Sequence, residues 1–156
     1  MWYFYLDSLL KPDEQVNLIT ELILTGDLHN KRYMRGIKTI VFLLISNTFM
    51  TFAWYGHLKF KEFSWGKSLG LFSVILISWG LAFFEYLFQV PANRAGFKED
   101  GGPFSLVQLK TIQEAITLTV FVLFTLIFFK EEKLAWNHLV GFGLIVAAVF
   151  VIFKKW

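Results

Sequence analysis

The 156-residue chain contains no cysteine, which removes disulfides, thiolate metal sites and thiol nucleophiles together. Histidine occurs only as His29, His57 and His138, scattered without ligand-like spacing, so neither a metal site nor another cofactor is expected. Charge is scarce as well: 17% of residues are charged, below the roughly 25% of soluble domains. The formal net charge of +3 is small, and Lys and Arg stand mainly at the ends of apolar stretches. That placement reads as membrane orientation and gives no reason to expect nucleic-acid binding. Residues 1–30 carry Asp7, Asp13, Glu14, Glu21 and Asp27 against Lys11 alone, and lack the basic start and small-residue cleavage site of a signal peptide. No Ser–His or paired-carboxylate constellation with identifiable geometry is present, so the chain is not expected to be an enzyme.

What the chain does have is apolar length. Four stretches, 37–56, 69–90, 105–129 and 136–153, occupy most of it. Each is close to the roughly 20 residues that cross a hydrocarbon core about 30 Å thick. A water-soluble domain of this size cannot bury four such segments on every side. The expected fold is therefore an all-α integral membrane protein, a compact bundle of four transmembrane helices in a lipid bilayer. The 19 Phe and 6 Trp suit lipid-facing and interfacial surface. Trp54, Tyr55, Trp65 and Trp136 fall on one membrane face if the chain runs back and forth, and Trp156 marks the other.

Residues 1–33 read differently. Pro12, Asp13 and Glu14 can open a short amphipathic helix, with Val16, Ile19, Leu22 and Ile23 on one face and Gly26 at its end. The segment is then a surface helix, packed on the bundle or on a partner. Alternatively it is an upstream extension from a misassigned start, because Met34-Arg35-Gly36-Ile37-Lys38 looks like a natural beginning. The membrane domain proper is expected over 34–156.

Function has to reside in the few polar residues of the spans. In span one Asn47, Thr51 and Trp54 share a helical face. Ser46 and Thr48 read as interhelical hydrogen-bonding glue, and Asn47 as the better cavity candidate. Span two carries Ser78, Glu85 and Gln89 on one stripe. A carboxylate in a span is costly and usually functional, and Glu85 either pairs with a cation of a neighbouring helix or binds a proton. Trp79, in mid-span, either packs against lipid and helices or lines a substrate cavity. Pro91 is expected to end this helix by restricting the residue before it, with Arg94 at headgroup level. Span three opens with a Gly101-Gly102-Pro103 turn and a capping box of Ser105 and Gln108. Lys110, Gln113, Glu114 and Thr117 then follow at i, i+3, i+4 and i+7. Glu114 is expected to lie buried within the membrane, with Lys110 able to neutralise it at i,i+4; the alternative is that the membrane portion begins near Ala115 and leaves both in the interface. In span four Gly143 and Ala147 form a small-xxx-small pair, and Gly141 and Ala148 stand seven apart, a pattern that marks helix pairing within or between chains.

Counted from Met34, Arg35, Lys38, Arg94, Lys98, Lys154 and Lys155 face one side, with Lys110 arguable. Lys59, Lys61, Lys67, Lys130 and Lys133 face the other. Positive-inside asymmetry normally fixes orientation. Near-balance permits insertion both ways and a homodimer of antiparallel copies.

Several long strings are distinctive: Ile45 to Lys59, Phe83-Phe84-Glu85-Tyr86, Gln89 to Arg94, Phe104-Ser105-Leu106 through Glu114, and Trp136 to Phe142. Together, from about Met34 to the C-terminus, they resemble a family of short four-span proteins in the drug/metabolite transporter (DMT) superfamily, distantly similar to small multidrug resistance proteins. The resemblance implies a transporter fold in the bacterial cytoplasmic (inner) membrane and, by way of the small multidrug resistance branch, antiparallel homodimers exchanging protons for cations. That branch relies on a glutamate in its first helix. Span one here has no carboxylate, so any coupling must use Glu85 or Glu114. The expectation is a small secondary transporter, acting as a dimer on a small metabolite or organic cation of unknown identity, its cavity lined by Asn47, Trp79, Glu85 and Glu114. The rival is a non-transporting partner subunit or structural adaptor, in which buried ion pairs fix helix register.

Overall fold

The computed structural model describes residues 11–60, 62–129 and 135–154. Asp7, the charges of Lys61, Lys130, Lys133 and Lys155, and the belt marker Trp156 lie outside them. Among the described residues there is no strand, and four helices are long and apolar enough to cross a membrane. Helix α1 is Pro12–Thr51, continued by a π-helical turn Phe52–Gly56 and a last α-helical turn His57–Phe60. Helices α2, α3 and α4 are Leu71–Gly96, Leu106–Phe128 and Trp136–Phe153. The protein is an integral membrane protein of four spans.

The chain divides into two compact units, Met1–Met34 and Arg35–Trp156. In the first, the helix starts where Pro12 predicts, with the Lys11 amide donating to Glu14 Oε2 at 3.3 Å. Val16, Ile19, Leu22 and Ile23 are all exposed. The helix does not stop at Gly26 as expected. One glycine inside a helix costs only about 1 kcal/mol relative to alanine, too little to end a run whose neighbours are all helix-compatible.

The second unit is organised around α1 and α2. Thr39, Leu43 and Ser46 of α1 are fully buried, and so are Glu85, Gln89, Ala92 and Gly96 of α2 or nearly so. Both sets recur at heptad-like spacing, the pattern by which two helices meet along one seam. Aromatic rings flank it: Phe49 stacks on Phe84 and Phe88, and Phe42 meets Phe88 edge-on.

Helix α2 also corrects an expectation. It runs through Pro91 to Gly96 rather than ending there. Proline removes one helical hydrogen bond, but side chains from α1 hold the carbonyls beyond it. Thr39 Oγ1 donates to Ala92 O at 3.3 Å, and Arg35 donates to the carbonyls of Ala95, Arg94 and Asp100 at 3.1, 3.1 and 2.6 Å. The carbonyls of Arg94 and Ala95 stand in the last turn of α2, where no intrahelical partner is available, and the guanidinium fork supplies one. The connection that follows is tight: Gly101 adopts a left-handed φ of 82°, and an added Cβ at Gly102 would stand 2.2 Å from the Gly96 backbone. Ser105 then caps α3 through the expected box, its Oγ accepting from the Gln108 amide at 3.3 Å.

Candidate functional site

Successive residues on an α-helix point about 100° apart, and α1 uses this at Ser46 and Asn47. Ser46 turns to α2, where Oγ lies 3.2 Å from Glu85 Oε1 and 2.8 Å from Gln89 Oε1. A hydroxyl has one proton. The trio therefore closes only when Gln89 presents its amide to Ser46 or Glu85 supplies a proton of its own. Glu85 is 4% exposed. Its Oε2 is buried without a hydrogen-bond partner, and among the described residues the ion pairs are Lys59–Glu62 and Lys110–Glu114, neither of which involves it. Of the two fates open to Glu85 in the sequence, cation pairing is the one these residues do not provide.

Asn47 turns to α3. Its amide donates to Leu43 O at 2.8 Å, and its Oδ1 accepts from the hydroxyl of Thr117. There a groove of about 460 Å³ brings together Asn47, Lys110, Gln113, Glu114, Thr117 and Tyr55, with Ile145 of α4 along its edge. Four of the sequence candidates, Asn47, Lys110, Gln113 and Glu114, thus share one site. Glu114 lies within the apolar span Leu106–Phe128, and its side chain is 58% exposed in the single copy and bonded to Lys110 one turn earlier. The reason is geometric. The i, i+3, i+4, i+7 stripe faces the groove, and the pair neutralises itself without sinking into the helix seam.

Glu85 and Trp79 stand elsewhere. Glu85 lies in the α1–α2 seam. Trp79 is 71% exposed and lines a separate groove of about 420 Å³ with Trp54, His57 and Ser78. The anticipated single cavity is therefore three places within one copy of the chain. On α4, Gly143, Ala147 and Ala148 are exposed and Gly141 half-buried, and a Cβ at either glycine would meet nothing within 4 Å.

Ser46 carries more than the packing role the sequence suggested, and Thr39, Arg35, Tyr55 and Phe121 were not singled out as site-forming. A signal for the first two existed. Arg35, Thr39, Leu43 and Ser46 repeat at the spacing of one helix face, as do Glu85, Gln89, Ala92 and Gly96, so the two stripes could be laid against each other. Tyr55 and Phe121 had no such mark among 19 Phe and 5 Tyr.

Comparison with known proteins gives one positive result. Residues 39–153 match the model of the family DMT_6, described as "Putative member of DMT superfamily (DUF486)". No curated protein matches. Nor does any solved structure.

Proposed function

Because the chain belongs to the DMT_6 family, we propose that it is a small secondary transporter. It moves a small metabolite or organic cation across the bacterial cytoplasmic (inner) membrane as a homodimer, with Glu85 as its proton-binding group. The observation that carries this reading is the buried Glu85 carboxyl, which has one oxygen bonded to Ser46 and one oxygen bonded to nothing. Burying an ionised carboxylate without a counter-charge costs far more than burying the neutral acid. A group in that position gains or loses a proton only together with a change in its surroundings, which is what coupling requires.

Helix α1 supplies the mechanical link. Ser46 contacts the proton-binding group and the next residue, Asn47, contacts the groove. A shift of α1 that rearranges the Ser46–Glu85–Gln89 trio therefore also strains or releases Asn47–Thr117. The groove side chains Lys110, Glu114 and Gln113 then meet the solute, and Trp79 offers a ring face for a cation in the neighbouring groove.

The test is an imposed pH gradient across vesicles containing the purified protein, with a panel of organic cations and small polar metabolites supplied in turn as the coupled solute and interior pH followed by a dye. The wild type is expected to dissipate the gradient and Glu85→Gln to hold it, while keeping the hydrogen bond to Ser46 and the folded state. Equal dissipation by the two proteins would sink the role of Glu85, and none by either would sink proton coupling.

A second reading, a non-transporting partner subunit, draws on the exposed, small-residue face of α4. Stoichiometric recovery with one other membrane protein from native membranes, together with a silent vesicle assay, would favour it.

A further inference from the structure

Three cavities follow one another along α3. The first, of about 340 Å³, lies beside its N-terminal turns, between Arg94, Asp100, Leu109 and Lys110. The second is the polar groove of about 460 Å³. The third, of about 410 Å³, is lined by Phe124, Thr125, Phe129, His138 and Phe142 among others. Each shares walls with the next. Lys110 and Gln113 line the first two, and Tyr55, Leu118 and Phe121 line the last two. Leu106 borders the first cavity and Phe129 the third, a separation of about 34 Å at 1.5 Å per residue. That distance exceeds the hydrocarbon thickness of about 30 Å.

The chemistry changes once along this line. From Arg94 to Thr117 the walls carry charges, amides and a hydroxyl. Beyond Phe121 they are aromatic and aliphatic, apart from Thr125 and His138. At the change stand the rings of Tyr55 and Phe121, their centroids 4.9 Å apart, both facing the second and the third cavity. Tyr55 belongs to the π-helical turn Phe52–Gly56. Such turns hold one residue more than an α-turn and are frequent at functional sites. Relaxation of this one to α geometry would rotate the helix on its two sides relative to each other by about 100°, taking Tyr55 away from Phe121.

We infer that the three cavities form one solute path within a single copy of the chain, closed between its polar groove and its apolar cavity by the Tyr55–Phe121 ring pair. The inference rests on the transporter reading. It places the solute's route along α3, separate from the proton-binding carboxyl in the α1–α2 seam. The middle groove, with a cation, an anion, two amides and the hydroxyls of Thr51, Tyr55 and Thr117, suits a small polar solute.

The absence of native cysteine allows single reporters without any other change. Thr117→Cys in the groove, Thr125→Cys in the third cavity and Leu144→Cys on the exposed face of α4 are each treated in vesicles with a membrane-impermeant maleimide applied from both sides. A thiol needs water and a polar setting to ionise and react, so Thr117→Cys and Thr125→Cys are expected to label at least about tenfold faster than Leu144→Cys. In vesicles loaded with radiolabelled glycine, Tyr55→Ala/Phe121→Ala is expected to leak at least about tenfold faster than the wild type. Tyr55→Phe, which keeps the ring, is expected to stay closed. Phe121→Leu, a milder change that preserves apolar volume, is expected to leak at an intermediate rate and stands in for the double variant if that does not fold.

Labelling of Thr117→Cys and Thr125→Cys no faster than the α4 control would mean that lipid fills the groove, and would overturn the path. Glycine retention by both gate variants would overturn the gate. The labelling needs neither a known substrate nor a proton gradient. Failure to label beside intact proton flux therefore removes the path alone, whereas fast labelling beside a silent pH assay removes proton coupling and leaves the path.

Discussion

Along the seam of α1 and α2 the polar side chains point inward: Thr39, Ser46, Glu85 and Gln89 are buried there, and Asn47 and Thr51 are buried on the side of α1 that meets α3. Along α4 no residue is buried, and its exposed side chains include Leu144, Val146 and Phe150. Both helices are apolar enough to span a membrane, yet only one is finished by its own chain. In lipid there is no hydrophobic drive between helices, so association depends on close packing and hydrogen bonds between them. The α1–α2 seam has both. Helix α4 has a notch of small residues and nothing seated in it. The contrast separates residues that hold the copy together from residues available to something outside it.

The largest effect is expected in the tight connection between α2 and α3. An added Cβ at Gly102 would lie 2.2 Å from both the carbon and the oxygen of Gly96. Backbone, unlike a flexible side chain, cannot step aside. Gly102→Ala should cost about 3 kcal/mol or more, at or beyond the upper range for overpacking, and should lower the yield of folded, monodisperse protein in detergent. Normal thermal stability of this variant would show that the connection between α2 and α3 is looser than its packing implies.

A smaller loss is expected from Arg35→Ala. The guanidinium serves two carbonyls in the last turn of α2 and that of Asp100 in the connection beyond it, and hydrogen bonds from a charged donor are each worth about 1.5–3 kcal/mol. Water can replace part of that at the half-buried end of the helix, so a net destabilisation of about 1.5–3 kcal/mol is expected. Arg35→Lys should not restore it, because a single ammonium cannot reproduce the planar fork. Equal stability of Arg35→Lys and the wild type would show that charge alone, and not the carbonyl contacts, sustains α2 beyond Pro91.

The sequence made the finished half only partly legible. Span positions, the Ser105 cap and the glycine turn depend on local pattern, and local pattern was enough. Beyond Pro91, the last carbonyls of α2 are met by Arg35, 59 and 60 residues away in the chain, which no local rule can see. Glu85 was identifiable as a carboxylate in a span, but its partner depended on which face of α1 met α2. That choice separated Ser46 from Asn47, adjacent residues given opposite roles by the reading of single spans. The side to which Glu114 turns was not legible, because depth along a helix says nothing about direction around it. The Lys110–Glu114 pair is deep along α3 but turned into an open groove.

The smallest effect on the single copy is expected on α4, and it is the sharpest test of the comparison. A Cβ at Gly143 would meet nothing within 4 Å, so Gly143→Leu should change the thermal stability of isolated copies by less than about 0.5 kcal/mol, the range of surface substitutions. If α4 pairs with a second copy through its small-residue face, the same bulky side chain holds the two backbones apart. Crosslinked dimer in the native membrane should then fall while the folded copy is unchanged. Loss of stability in isolated copies would mean that α4 is packed within its own chain after all. Unchanged crosslinking would take Gly143 out of the pairing face and leave Gly141 and Ala148, half a turn and more away, as the surface to vary next.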